Sequence, residues 1–349
     1  MQHFRLSFLV TFICVVLSYM WAGLYGAFIT VILGVLEVSL SFDNAVVNAS
    51  ILKRMDEKWQ QYFLTWGILV AVFGMRLLFP IAIVGVATGI SFAGVTEMAL
   101  NDTDTYAQHL MASHIQIAAF GGMFLLMVFF SFIFDEGKDL HWLGYIEEKL
   151  ASWGKLDAIE VIVALSLLLL VQGLLPEEVR LEALVAGVFG VILFVAVDSL
   201  AALFEDGEEG EAVSGLVKKA GMMSFVYLEV LDASFSFDGV IGAFAITQDV
   251  VIIMLGLAMG AMFVRSLTVY LVRQGTLDEY IFLEHGAHYA IGVLAAIMLI
   301  SMTVHVSEVI TGLAGAILIA LSVYSSIQYK KDNEAQNDSM NKFKARTFK

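Results

Sequence analysis

Two short segments of this sequence place carboxylates and hydroxyls where they could hold a cation. Glu37-Val-Ser-Leu-Ser-Phe-Asp43 returns as Asp232-Ala-Ser-Phe-Ser-Phe-Asp238, with serine, serine, phenylalanine and aspartate identical at constant spacing and an acid at each end. Both copies lie inside apolar runs, as do Glu229 just before the second copy and Asp198 in a separate run. An ionised side chain at the centre of a membrane helix costs about 2.5–3.5 kcal/mol even on the lenient insertion scale. Six such acids amount to roughly 15–20 kcal/mol, which must be met by partners, protons or water. The apolar runs contain two cations, Arg76 and Arg265, read here as counterions and helix anchors with a coupling role as the alternative. Pairing with those two alone leaves four acids unmatched, and divalent cations or protons are expected to neutralise them.

The donor set narrows the chemistry. Carboxylates, the Asn44 amide and the hydroxyls of Ser39, Ser41, Ser234 and Ser236 are all oxygen ligands, which suit magnesium, calcium or manganese better than copper or a zinc thiolate site. On a helix Glu37, Ser41, Asn44 and Asn48 fall on one stripe, and Glu229, Asp232 and Ser236 form a similar one. Asp43 and Asp238 point off these stripes. Either each faces another neighbouring helix, or the chain breaks near Asn44 and Gly239 and lends backbone carbonyls to the site.

Weaker candidates read as structural. Glu284, His285 and His288 have metal-like spacing but sit near a span end where polar residues are ordinary; His114 and the His305–Glu308 pair are treated alike. The 16 methionines are scattered, as packing residues are. Gly85 with Gly89 and Gly256 with Gly260 have the spacing of close helix contacts.

The elements that must position these residues are membrane helices. Of 349 residues 59% are apolar and 15% charged, with a mean hydropathy of +0.84, too apolar for an ordinary soluble protein and inconsistent with disorder or a nucleotide-binding enzyme. Ten spans are expected, at about 6–26, 27–50, 62–88, 113–134, 158–175, 181–204, 223–247, 250–273, 284–303 and 308–328. The first is kept as a helix because Trp21, Leu24 and Tyr25 spoil a signal-peptide cleavage site. With Arg5 inside, alternate loops and the tail hold sixteen lysines and arginines, while the opposite loops hold only Arg180. Both termini are therefore expected in the cytoplasm. The formal charge of −15 misleads unless this placement is considered. Cys14 has no disulfide partner in the chain.

Gly67 to Arg76 matches Gly256 to Arg265 in the span after each motif, so the motifs belong to a longer repeat. The copies lie five crossings apart and must enter the membrane from opposite sides, an inverted repeat of the kind secondary transporters use. The expected fold is all-α: one membrane domain over 1–328, repeats at about 6–175 and 181–328, and a basic, disordered cytoplasmic tail over 329–349.

Leu40-Ser-Phe-Asp-Asn-Ala-Val-Val47 and Glu229-x-x-Asp232-x-x-Phe235-Ser-Phe-Asp238 resemble the two acidic motifs of the TerC family of integral membrane proteins, grouped with the LysE-like transporters. The resemblance covers about two thirds of the chain and implies manganese efflux, with Glu37, Asp43, Asn44, Glu229, Asp232 and Asp238 lining the ion site. Gly239 and Ile241 stand where that family has a serine and a nearby proline, so one ligand and one kink are expected to be missing or replaced.

The expected function is a secondary transporter of divalent metal ions in a bacterial plasma membrane, exporting manganese, with proton exchange as the proposed coupling. The ion is cargo, and no permanently bound cofactor and no nucleic-acid partner are expected; homo-oligomerisation is left open. The alternative class is a membrane-protein assembly or metal-delivery factor working with the secretion machinery. Enzymatic activity is not expected: Asp43 and Asp238 follow phenylalanine, without the G-x-G-D context of an intramembrane protease.

Overall fold

The computed structural model describes residues 4–347 apart from 54, 71–73, 75, 77, 139, 157, 206–212 and 305, and among the described residues all regular structure is helical. The helices are α1 (Arg5–Leu40), α2 (Phe42–Lys53), α3 (Glu57–Leu69), α4 (Phe79–Thr88), α5 (Phe92–Asn101), α6 (Thr103–Ala112), α7 (His114–Ile133), α8 (Tyr145–Ala151), α9 (Ile159–Gln172), α10 (Glu177–Glu205), α11 (Val213–Ile246), α12 (Val250–Arg273), α13 (Thr276–Glu279), α14 (Leu283–Ser301) and α15 (Glu308–Thr347). Six helical stretches among the described residues are long and apolar enough to cross a membrane, and α9 is a shorter apolar helix. This is an all-α membrane protein.

α1 contains a chain reversal. Ala22 and Gly23 leave helical geometry, and Gly23 takes φ +66°, a conformation that glycine adopts without steric cost. The Ser18 and Thr30 hydroxyls hydrogen bond at 2.6 Å across this point, which a straight helix would hold about 18 Å apart. The first arm runs antiparallel to α12: Ser7 meets Met262 and Ser266, and the Trp21 indole donates to Asp249. The returning arm packs on the same helix in the other sense, with Gly34 at Gly256 and Glu37 at Gly260. The expected first two spans therefore turn at Ala22–Gly23 rather than at 26–27. The apolar Trp21, Leu24 and Tyr25 around the turn are exposed.

Between α3 and α4 the described residues, Arg76 among them, take wider π-helical turns. Pro80 supplies the reason, since it lacks the N–H that would bond the Arg76 carbonyl four residues earlier and its ring crowds that oxygen. Such bulges often aim a side chain inward. The stretch 88–113, expected as a loop, instead holds α5 and α6, started by the Ser91 and Asp102 side chains accepting from Gly94 N–H and Thr105 N–H. Their apolar residues Val95, Ala99, Tyr106 and Leu110 close over one end of α4 and α11. Residues after 330, expected as a disordered tail, continue α15 to Thr347.

The main core gathers around α7, which packs against α10 and α14 through buried Met123, Phe124, Met127, Phe194 and Met298. Small residues let these helices approach, as expected in lipid. Gly256 and Gly260 meet the α1 backbone, whereas Gly85 and Gly89 form a helix end, Gly89 at φ +71° donating to the Gly85 carbonyl. The second pair thus packs helices as expected, and the first does not. A Cβ at Gly190 would lie 2.3 Å from the Phe120 carbonyl oxygen of α7. Gly190→Ala must therefore push α10 off α7 and cost about 1–3 kcal/mol. A lowered thermal midpoint in detergent checks this, and an unchanged midpoint would mean the contact is looser than described.

Candidate functional site

The two acidic motifs meet where the α1–α2 segment crosses α11. Glu37 lies against Gly239, whose missing Cβ would sit 2.6 Å from Glu37 Oε2, and Asn44 Nδ2 donates to Asp232 Oδ1 at 2.7 Å. Higher numbers on one segment meet lower numbers on the other, so the two run antiparallel. Ser41 marks a slight interruption between α1 and α2, at φ −102° and ψ 19°, while α11 passes through its motif without one. The expected break therefore falls just before Asp43 in the first motif and is absent from the second.

Glu37 is 1% exposed and its Oε1 receives both Arg76 Nη2 and the Ser41 hydroxyl, the latter at 3.1 Å. The π-helical stretch before Pro80 thus delivers a guanidinium to the first motif. Arg265, from the middle of α12, serves the second. Its Nη2 donates to Glu229 Oε1 at 3.2 Å and lies 3.9 Å from Asp232 Oδ2. Its Nη1 donates to the Phe63 carbonyl at 2.7 Å, and the guanidinium stacks 4.1 Å from the Phe63 ring. Gly67 makes room, since a Cβ there would lie 2.5 Å from Glu229 Oε1 and 2.6 Å from Arg265 Nη1.

Asp43 points elsewhere. It is buried, accepts from its neighbour Asn44 N–H, and its Oδ2 is 3.0 Å from where a Gly315 Cβ would be, so it faces α15. That is the first of the two sequence alternatives. Asp198 is exposed on α10 and does not belong to the buried group. The side chains of Ser236 and Asp238 lie outside the described residues, as does His305. Ser39 is exposed and bonds the Val35 carbonyl. Ser234 bonds the Val230 carbonyl.

Two arginines against four buried acids, Glu37, Asp43, Glu229 and Asp232, leave a formal deficit of two positive charges among the described residues of the spans. No three His, Cys, Asp or Glu side chains converge as ligands of one ion among the described residues. The unsatisfied capacity lies instead in single atoms: Asn44 Oδ1, Asn48 Oδ1 and Glu229 Oε2 are buried without a hydrogen-bond donor, and Arg76 Nε and Arg265 Nε without an acceptor. Buried acceptors left in this state commonly mark a water or an ion. Sequence reading placed both asparagines on the polar stripe but missed the Phe63 carbonyl, for which no side-chain pattern gives a signal.

The histidines form a separate cluster. His285 Nε2 lies 2.9 Å from the Leu140 carbonyl and 3.4 Å from Glu147 Oε1, while His288 Nδ1 lies 2.9 Å from the Glu284 carbonyl and its ring stacks on Phe132. These contacts tie the α7–α9 connection to α14, in keeping with the structural reading. Burial alone would raise the Glu147 carboxyl, but hydrogen bonds from Lys138 Nζ and Leu143 N–H, with the Lys138 and His285 charges, hold it below the usual carboxylate range.

This arrangement defines a class: a polytopic helical membrane protein with a charged interior built at a helix crossing. The chain belongs to the family described as "Protein of unknown function (DUF475)", which matches residues 42–333 and so includes Asp43, Arg76, Glu229, Asp232 and Arg265. It is similar to the "Uncharacterized membrane protein YceF" of Bacillus subtilis (strain 168), 28% identical over 183 residues, covering 41% of this chain and 70% of that protein. No solved structure matches.

Removing one partner of a buried ion pair strands the other, a cost of about 3–5 kcal/mol. Arg265→Met should therefore destabilise the detergent-solubilised protein by that order, and adding Glu229→Gln should recover part of it. Equal thermal midpoints for wild type and Arg265→Met would show that the pairing carries no stability. For Glu147 the folded carboxyl titrates below its unfolded value, so its stabilisation is present above the unfolded pKa and fades as pH falls through the folded one. Glu147→Gln should flatten the acid limb of the stability–pH curve, and superimposable acid limbs would refute this.

Proposed function

We propose that this protein is a secondary transporter that carries a divalent cation, manganese outward, across the bacterial plasma membrane in exchange for protons. The observation that carries the reading is the buried deficit of two positive charges at the crossing of two like motifs. One divalent ion, or two protons, balances it. In the ion-free carrier Arg76 and Arg265 act as tethered counterions and keep the empty site compatible with a low-dielectric interior. An arriving cation competes with them for carboxylate oxygens.

Ten passes, with both termini cytoplasmic and the repeats inverted, form the proposed frame. Reciprocal contacts support it. At the motif offset of 195, from Asp43 to Asp238, Glu37 corresponds to Asp232 and Asn44 to Gly239. The contacts Glu37–Gly239 and Asn44–Asp232 are thus the same contact seen from each copy. Gly67 against Glu229 resembles Gly256 against Gly34, with Gly67 aligned to Gly256 at the offset of 189 of the glycine–arginine match and Gly34 to Glu229 at the motif offset of 195. A pseudo-two-fold relation of this kind permits one half to rock against the other about a central site. The TerC resemblance and the all-oxygen donors favour manganese among hard ions.

The test is flux of Mn2+, Mg2+ and Ca2+ in proteoliposomes with a pH gradient imposed in either direction. Wild type should move Mn2+ with a rate that follows the gradient, and Asp232→Asn should fall to the protein-free background. Absence of flux for every ion in both gradients would remove the transport reading.

A further inference from the structure

The motif repeat is symmetric in sequence spacing, but the two halves of the crossing are not chemically alike. In one half Arg76 meets Glu37; Gly34 lies one turn before Glu37 on α1, and Gly239, which abuts Glu37, is followed one turn later on α11 by Ala243. At the offset of 195 the corresponding positions in the other half are Glu229, Asn44 and Asn48. Where one half has three side chains without polar atoms, the other therefore has a second carboxylate and two carboxamides. In the first half Arg76 is hydrogen bonded to Glu37 and also stands in the field of the Asp232 carboxylate. The second places one guanidinium against two carboxylates, and all three of its additional side chains retain an unpartnered buried oxygen.

Asn44 and Asn48 stand one helical turn apart on α2, opposite the Glu229–Asp232 stretch of α11. Asn44 bonds Asp232, and Leu52 packs in the same cluster as Leu228, which brackets the antiparallel register. Asn48, one turn from each on the same stripe, falls level with Glu229. Asn48 is 2% exposed, Asn44 1% and Glu229 6%, so bulk solvent does not satisfy them. The Asn44 amide nitrogen is committed to Asp232, which turns its oxygen away from that carboxylate.

Resting on the transport reading, we propose that the cargo cation binds in this one half of the crossing, and that Asn48 is one of its ligands together with Asn44 and Glu229. Glu37, held by Arg76 and Ser41, then serves as the fixed counterpart, not as a second binding site. Carboxamide and carboxylate oxygens are the ligands that a hard divalent ion takes, and Arg265 is the internal cation that it displaces from Glu229. Asn48 is thereby a binding residue outside both acidic motifs.

The experiment titrates full-length protein in lipid nanodiscs with Mn2+ alone and follows the free aquo ion by electron paramagnetic resonance. Wild type should bind Mn2+, Asn48→Leu should raise Kd about tenfold or more by removing an oxygen ligand, and Asn48→Asp should lower it by adding charge. The aspartate variant keeps the test decisive where the leucine variant does not fold. Wild-type binding with unchanged Kd in Asn48→Asp would mean the pocket holds water only, and this inference falls while the transport reading stands. No binding by wild type would instead remove the transport reading itself.

Discussion

Charge buried in hydrocarbon is the constraint on which the structure turns. Glu37, Glu229 and Asp232 sit where water cannot solvate them, so the fold has to bring cations to them from distant parts of the chain. Arg265 does this on a straight helix, braced by the Phe63 carbonyl and ring. Arg76 does it on a π-helical stretch that Pro80 imposes. Neither guanidinium could reach if the helices stood at ordinary separation. Gly67, Gly239 and Gly260 supply the missing ångströms, each leaving its Cβ position to a carboxylate side chain.

The same closeness explains why the polar interior does not collapse into a set of satisfied ion pairs. α1 and α12 are fixed against each other by close backbone packing at Gly34, Gly256 and Gly260. Side chains at the crossing therefore cannot shift to absorb every lone pair, and the oxygens of Asn44, Asn48 and Glu229 remain without donors. On the proposed reading, a frame with residual acceptors is preorganised for a cation: what it would gain on binding is the satisfaction of atoms already desolvated.

Much of this was legible in the residues. The duplicated motif and the two arginines predicted a charged crossing, and the structure brings Glu37, Asn44, Glu229, Asp232 and both arginines into it. Composition predicted a helical membrane protein, as found. Other features were hidden for physical reasons. Asp198 lies in an apolar run, but a linear run does not reveal which face of α10 it occupies, and it is exposed. Asp43 points off the stripe, but spacing alone leaves open whether it faces another helix or lies at a helix break; the packing places it against Gly315 of α15. The α5 and α6 helices fall between two expected spans, where Asp102 serves as the C-cap of one and the N-cap of the other. The fold-back at Gly23 was misplaced because apolar residues surround it, and in lipid a turn need not be polar at every position.

Asymmetry within symmetry is the deeper consequence. Duplication gives two copies of a motif, and antiparallel crossing makes each copy face the other, so an unaltered duplicate would build two equivalent half-sites. Two equivalent anionic half-sites close together would repel and would each demand a full complement of cations. Gly34, Gly239 and Ala243 carry no polar side chain, whereas their counterparts Glu229, Asn44 and Asn48 each hold a buried oxygen without a donor. On the proposed transport reading, that arrangement suits a carrier that moves one ion per cycle: a frame symmetric enough to present itself to both sides of the membrane, and a donor set asymmetric enough to hold one ion between them.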